Sequence, residues 1–174
     1  MSVGAATRPA SSGSVTTTRV LLTGMSGVGK SALLAALRER GWRTVDADED
    51  GLVTEYPDRT DLHLAELEAI LRQPRHDRPL IVAATGEGQG QLYPFVDHVV
   101  LLTAPWPVLE ERLATRSGNA FGKEPGERER VRADVETYEP LLRRGADLVV
   151  DTSQVALEDL AEQIDALATQ EDAR

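Results

Sequence analysis

The sequence predicts an α/β fold in which a five-stranded parallel sheet lies between layers of helices. Three observations lead there. Five short runs, near 18–23, 42–45, 80–84, 97–103 and 146–150, are largely apolar, as strands of a parallel sheet covered on both faces must be. The segments between them carry leucines and other apolar residues at helical spacing. A glycine-rich stretch, Gly24-Met25-Ser26-Gly27-Val28-Gly29-Lys30-Ser31, joins the first run to the first helix.

That stretch has the form G-x-x-x-x-G-K-S between a strand and a helix, the context in which it makes a phosphate-binding P-loop. Its glycines let backbone N–H groups curl around phosphate oxygens, Lys30 reaches the β/γ-phosphates and the Ser31 hydroxyl can ligate Mg²⁺. The following helix, from Ser31 and Ala32 to Arg40 with Leu33, Leu34 and Leu37 on one face, aims its positive end at the same anion. Gly41 supplies its stop. The predicted nucleotide contacts are therefore Gly24, Met25, Ser26, Gly27, Val28, Gly29, Lys30, Ser31 and Ala32.

The second strand ends in Asp46-Ala47-Asp48-Glu49-Asp50. Ligands of open α/β sheets bind beyond the carboxyl ends of the strands, so this acidic cluster and the P-loop converge. Asp46 and Asp48, two apart in a segment read as extended, are expected to point the same way: one toward a magnesium shell, the other toward an acceptor hydroxyl. A helix is expected over 58–73, ending before Pro74, with Tyr56 and His63 near an acceptor pocket. The third strand, Leu80–Ala84, exits into the polar, glycine-rich loop Thr85–Gln91, where Glu87 is a further candidate acid near the metal.

The fourth strand leads to a helix over 105–117, on which Arg112 and Arg116 are four apart and able to clamp phosphate or stack on a base. Residues 118–126, with Lys123, form a short connection suited to a lid that folds over bound ATP. A charged helix over 127–144 has its buried stripe at Val131, Val135, Tyr138, Leu141 and Leu142, and Pro140 is expected to kink or break it. A last strand and a terminal helix from about Leu157 to Leu167 close the chain. The domain organisation expected is a disordered tail over 1–14, rich in Ala, Ser, Gly and Thr, and a single domain over 15–170.

Composition narrows the function. A net charge of −10 and a pI near 4.8 argue against sequence-independent nucleic-acid binding, which needs clustered Lys and Arg. There is no cysteine, so disulfides, thiolate catalysis and Cys-ligated zinc are excluded. With no apolar run near the ~18 residues of a membrane span and no signal-peptide order at the N-terminus, a cytoplasmic chain is expected, as monomer or homodimer. Only two lysines occur, Lys30 and Lys123, against seventeen arginines, which invites a functional explanation for each.

The order of strand, P-loop, acid pair, glycine loop, arginine helix and lid resembles the small P-loop kinases of the nucleoside-monophosphate-kinase-like group, most closely the shikimate and gluconate kinase branch. The resemblance spans about residues 18–168. It implies the three-layer P-loop NTPase fold with a short lid. Shikimate kinases end their second strand in Asp-x-Asp, matched here by Asp46 and Asp48, which implies a magnesium-shell role for Asp46 and an acceptor-contacting, base-like role for Asp48. Arg112 matches the arginine before the lid, Lys123 stands where the family places a cationic lid residue, and Glu139-Pro140-Leu141-Leu142 through Asp151-Thr152 is similar to the closing run of the family. The chain departs from shikimate kinases at Tyr138, where they carry an arginine, and at Thr85-Gly86-Glu87-Gly88, where they carry Gly-Gly-Gly. Those groups grip a carboxylate.

The expected activity is that of an ATP-dependent small-molecule kinase, with ATP and Mg²⁺ as cofactors. Lys30, Asp48, Arg112 and Lys123 are the candidate catalytic residues, Arg112 and Arg116 further nucleotide contacts, and Ser31 and Asp46 the metal ligands. The alternative is a nucleotide-binding regulatory P-loop ATPase without a small-molecule acceptor.

Overall fold

The computed structural model describes residues 17–74, 77–117 and 122–171, with the side chains of 169–171 excepted. The tail expected over 1–14 lies outside the described residues, as do residues 118–121 of the expected lid. Five strands, β1 (Arg19–Thr23), β2 (Arg43–Asp46), β5 (Leu80–Ala83), β6 (His98–Thr103) and β7 (Leu148–Asp151), form a parallel sheet in the order β2-β5-β1-β6-β7. The strand before the P-loop is thus the central one. Its apolar run is continuous because it is covered on both faces: Val20 and Leu22 pack into a core with Leu33, Leu37, Leu109 and Ile164, while Leu21 faces the other way onto Leu67, Leu71 and Leu92.

These two cores define three layers. On the first face lie α1 (Lys30–Glu39), α3 (Trp106–Thr115) and α5 (Leu157–Glu171); on the second lie α2 (Leu64–Arg72) and a 3-10 helix at Gln89–Phe95. Each fully buried leucine contributes about 1.5–3 kcal/mol, so the leucines of α1 and α3 hold the helices whose ends frame the P-loop. Trp42, 1% exposed, locks α1 against α5 through its Nε1, which donates to Asp165 Oδ1 at 2.7 Å.

Three expectations are corrected. Of the buried stripe expected over 127–144, Val131 and Leu142 are buried, but Tyr138 and Leu141 are 45% and 54% exposed. Residues 58–63 are not helical: β3 (Val53–Glu55) and β4 (Thr60–Leu62) form an antiparallel hairpin, and α2 starts only at Leu64. The tight turn explains this, since Tyr56 N–H donates to the Arg59 carbonyl at 2.8 Å and closes a loop over Pro57 and Asp58. The expected break at Pro140 is also absent. The helix α4 (Pro125–Gly145) runs through it; Pro140 and the residue four before it, Glu136, both lie on the exposed side, where a carbonyl that loses its helical partner is open to water. A reciprocal capping pair, Glu124 and Glu127, with Pro125 in the first turn, fixes the start of α4.

Candidate active site

The loop 24–29 leaves β1 at the carboxyl edge of the sheet and turns into α1. Gly24, with φ +149°, lies where a Cβ would stand 2.5 Å from the Leu102 carbonyl oxygen, so only glycine passes between the two central strands. Gly29 caps α1 in the left-handed region, and the first turn has no acidic residue and no side-chain cap. The N–H groups that open α1 therefore lack the usual side-chain acceptor, which leaves a positive helix end facing the loop.

Lys30 folds back over that loop, donating to the carbonyls of Gly24 and, at 3.3 Å, Met25. Burial pushes its pKa below the ordinary lysine value; Asp48 and Asp46 oppose the shift, and Arg116 adds to it. The residue is half-exposed as a whole, yet its ammonium lies where the surroundings disfavour charge. An incoming phosphate would relieve that penalty.

Ser31 and Asp46 meet across the junction, with the Ser31 hydroxyl donating to Asp46 Oδ2 at 3.2 Å. Asp46 is 7% exposed and closes β2. Beyond it the chain does not stay extended, contrary to expectation. Ala47–Gly51 form a turn in which Asp48 N–H donates to Asp46 Oδ1 at 3.2 Å and Asp46 N–H to Asp50 Oδ2 at 2.9 Å. Asp48 nevertheless stays beside Lys30 and the two couple electrostatically. Desolvation lifts the Asp48 carboxyl above its usual range, Asp46, Glu55 and Glu49 push the same way, and Lys30 holds it down.

The two arginines separate. Arg112 is committed to the first face: its guanidinium donates to Thr152 Oγ1 at 2.8 Å, the Thr152 carbonyl at 3.1 Å and the Gly27 carbonyl at 3.3 Å. With Val28, Gly29, Ala32, Thr152 and Leu160 it lines a cavity of about 320 Å³ against the P-loop. Arg116 does not continue the helix face of Arg112. It is the C-cap of α3 with ψ near 143°, which carries it out of the helix, and its charge is felt at Lys30. Lys123 is exposed beside the start of α4.

A second cavity, of about 550 Å³, opens on the other side of Met25. Its floor is Thr85–Gly90, the hairpin turn contributes Asp58, Arg59 and Thr60, and α4 supplies Arg130, Asp134, Tyr138 and Leu141. Glu87 lies here, while His63 caps α2 and pairs with Thr54 Oγ1 at 2.9 Å. Thr85 joins this cavity to the P-loop. Its Oγ1 accepts from Gly24 N–H at 3.1 Å and donates to the Gly24 carbonyl at 3.0 Å. Sequence reasoning assigned Thr85 and Thr152 no site role of their own, placed Tyr138 and Leu141 on a buried stripe and did not single out Arg130 or Asp134; a threonine at the exit of a strand beside a P-loop was the available signal for the first two.

Ser31 and Asp46 are hard oxygen donors and fit Mg²⁺, which binds through one or two protein oxygens and completes its shell with water and phosphate. Among the described residues no helix is long and apolar enough to cross a membrane.

No family model matches the chain. A nucleotide-binding protein of Gluconacetobacter diazotrophicus is 28% identical over 148 residues, covering 84% of this chain and 40% of its own length. The chain spans 40% to 49% of the length of the curated relatives it matches. Among solved structures, a shikimate kinase from Acinetobacter baumannii in complex with shikimate superposes with a TM-score of 0.61 at 20% identity, covering 91% of this chain and 97% of that one. A gluconokinase from Sinorhizobium meliloti gives 0.59 at 19% identity, with 89% and 95% covered. The protein has the three-layer fold of the small P-loop kinases, with shikimate kinase and gluconokinase among its structural neighbours.

Proposed function

We propose that the chain is an ATP-dependent phosphotransferase that moves the γ-phosphoryl group of Mg·ATP to a hydroxyl of a small molecule. One observation carries this reading. The P-loop lines two cavities, its Val28 and Gly29 a smaller one with Arg112 and Thr152 and its Met25 a larger one, so a nucleotide and an acceptor can both reach the same loop. A hydrolase of nucleotide alone has no use for the second.

In this reading the small cavity takes the base, with Arg112 along its wall, and the loop N–H groups and Lys30 hold the phosphates. Ser31 and Asp46 would hold Mg²⁺, which supplies neutralisation of phosphate charge. The acceptor oxygen forms its bond to the γ-phosphorus as the bond from that phosphorus to the ADP oxygen breaks, and the hydroxyl proton passes to Asp48 and on to solvent. Arg116 and Lys123 would offset the charge that develops on the transferred phosphoryl group. The raised pKa of Asp48 suits it to receive that proton.

The test is ADP release from Mg·ATP across a panel of hydroxyl acceptors, with Lys30→Ala as control. Acceptor-dependent release that the variant loses by orders of magnitude is the expected result, and near wild-type turnover in the variant overturns the assignment. The curated relatives are named only as nucleotide-binding proteins, which favours the regulatory ATPase as second reading. Tight ATP binding without any phosphorylated product would decide for it.

A further inference from the structure

The larger cavity is built against an anionic acceptor. Both of its arginines already have carboxylate partners. Arg59 Nε donates to Asp61 Oδ1 at 2.9 Å, its Nη1 lies 3.6 Å from Asp58, and its guanidinium covers the Tyr56 ring at 4.3 Å. Arg130 lies 4.0 Å from Asp134 Oδ2 and donates to the Tyr56 carbonyl at 3.3 Å, which ties α4 to the hairpin. An acceptor carboxylate or phosphate would have to compete with these acids for the two guanidinium groups. The lining itself carries three carboxylates, Asp58, Glu87 and Asp134, against two guanidinium groups.

Farther along α4 the lining is less polar. Tyr138 and Leu141 are 45% and 54% exposed, two of the large apolar residues left uncovered among the described residues, and both line this space. They sit on α4 at helical spacing from Arg130 and Asp134, so one helix presents charge and then an apolar ledge. Asp134 is partly desolvated there, which raises its pKa despite Arg130. A cation placed beside it would remove that cost.

We propose that the cavity takes a hydroxyl-bearing amine of about sugar size, with the ammonium on the Asp134 and Glu87 side, the less polar face on Tyr138 and Leu141, and the hydroxyl turned toward the P-loop. The volume of about 550 Å³ is within the range of small-molecule sites. This rests on the phosphotransferase reading for what happens to the hydroxyl, though not for what binds. Selectivity comes from repulsion as much as attraction: an anion competes with Asp58, Asp61 and Asp134 for the arginines, and Glu87 repels it.

The experiment uses three probes of one skeleton and different charge, D-glucosamine, D-glucose and D-gluconate, titrated into the isotopically labelled full chain at about pH 6.5, below the ordinary range of an amine. The backbone amides of Gly86, Gly88 and Gly90 report the cavity. Glucosamine should saturate their shifts at a concentration about tenfold lower than gluconate, with glucose between. Asp134→Asn and Glu87→Gln should each shrink that preference about threefold or more, the first also by releasing Arg130. Equal response, a preference for gluconate, no response to any probe, or a preference that both variants leave intact overturns the proposal. ATP titration followed at Gly27 and Gly29 runs separately, so failure to bind nucleotide would sink the phosphotransferase reading while the amine result still stands.

Discussion

The Ser31 hydroxyl donates to Asp46 Oδ2 at 3.2 Å, which joins the first turn of α1 to the end of β2. Asp46 is held in turn by its Oδ1, which accepts from Asp48 N–H, so the carboxylate has a fixed orientation. In the proposed reading both oxygens hold one Mg²⁺ ion. Ser31→Ala and Asp46→Asn should each weaken Mg²⁺ activation of turnover about 10- to 100-fold, the range expected when an oriented metal contact is lost. The double variant should be little worse than the worse single one, because both remove the same interaction. Mg²⁺ titrations of ATP turnover measure this; fully additive losses would show that the two residues act apart.

Lys30 carries a stability cost with a definite pH signature. Its folded-state pKa lies below the ordinary value of about 10.4, so on raising the pH the native protein releases this proton before the unfolded chain does. Between the two values the unfolded state binds more protons, and stability gains from Lys30 as pH rises; below that window the penalty is constant. Lys30→Met should therefore raise Tm at neutral pH, by about 2–4 °C for each kcal/mol relieved, and abolish nucleotide binding. Urea midpoints of both proteins should converge in the alkaline range. Midpoints that stay parallel from neutral pH upward would contradict the shift.

Thr152 ties three parts of the nucleotide side together. Its Oγ1 donates to the Val28 carbonyl at 2.8 Å and accepts from Arg112 at 2.8 Å, linking P-loop, α3 and the exit of β7. Thr152→Val keeps the shape and removes both bonds. Leaving a carbonyl and a guanidinium each short of a partner costs about 1–3 kcal/mol. We expect a lower Tm and ATP binding weakened about tenfold, read by thermal unfolding and nucleotide titration, since the wall of the small cavity loosens. An unchanged Tm would show that water replaces the hydroxyl.

The sheet, P-loop and acid at the end of β2 were legible in the sequence because each rests on a local rule: Val20-Leu21-Leu22 is apolar on both faces, Gly-Lys-Ser has one geometry, and Asp46 follows a strand. The hairpin was not legible. Its strands are three residues each, too short for an alternation to register, and Leu62 runs straight into the helically spaced Leu64, Leu67, Ile70 and Leu71, with which it shares a core. The α4 stripe was hidden for a different reason. Arg130, Asp134 and Tyr138 are four apart on a helix charged on nearly every side, and only the packing of α4 beside the hairpin distinguishes that face from solvent-facing ones. Arg112 reaches the Gly27 carbonyl of the loop, whereas α3 ends at Thr115, so Arg116 does not continue its helix face.

Gly86 is the point where the hairpin and the floor of the larger cavity touch. A Cβ there would stand 2.7 Å from the Thr60 carbonyl oxygen and 3.0 Å from Leu62 Cγ. The leucine can turn aside, but the backbone oxygen moves only if β4 moves, and β4 is held by β3 on one side and by a bridge from Asp61 to Glu87 on the other. Because the Thr60 carbonyl also accepts Glu87 N–H at 3.1 Å, displacing β4 disturbs the cavity from both sides. Gly86→Ala should cost about 1–3 kcal/mol, as overpacking does, and shift the amides of 53–62 and 85–90. Acceptor-dependent turnover should fall at least tenfold while ATP affinity stays within twofold, since Gly24–Ser31 and the small cavity are untouched. A matching loss of ATP binding would show instead that the two cavities are mechanically one, with Thr85 and its bonds to Gly24 transmitting the strain.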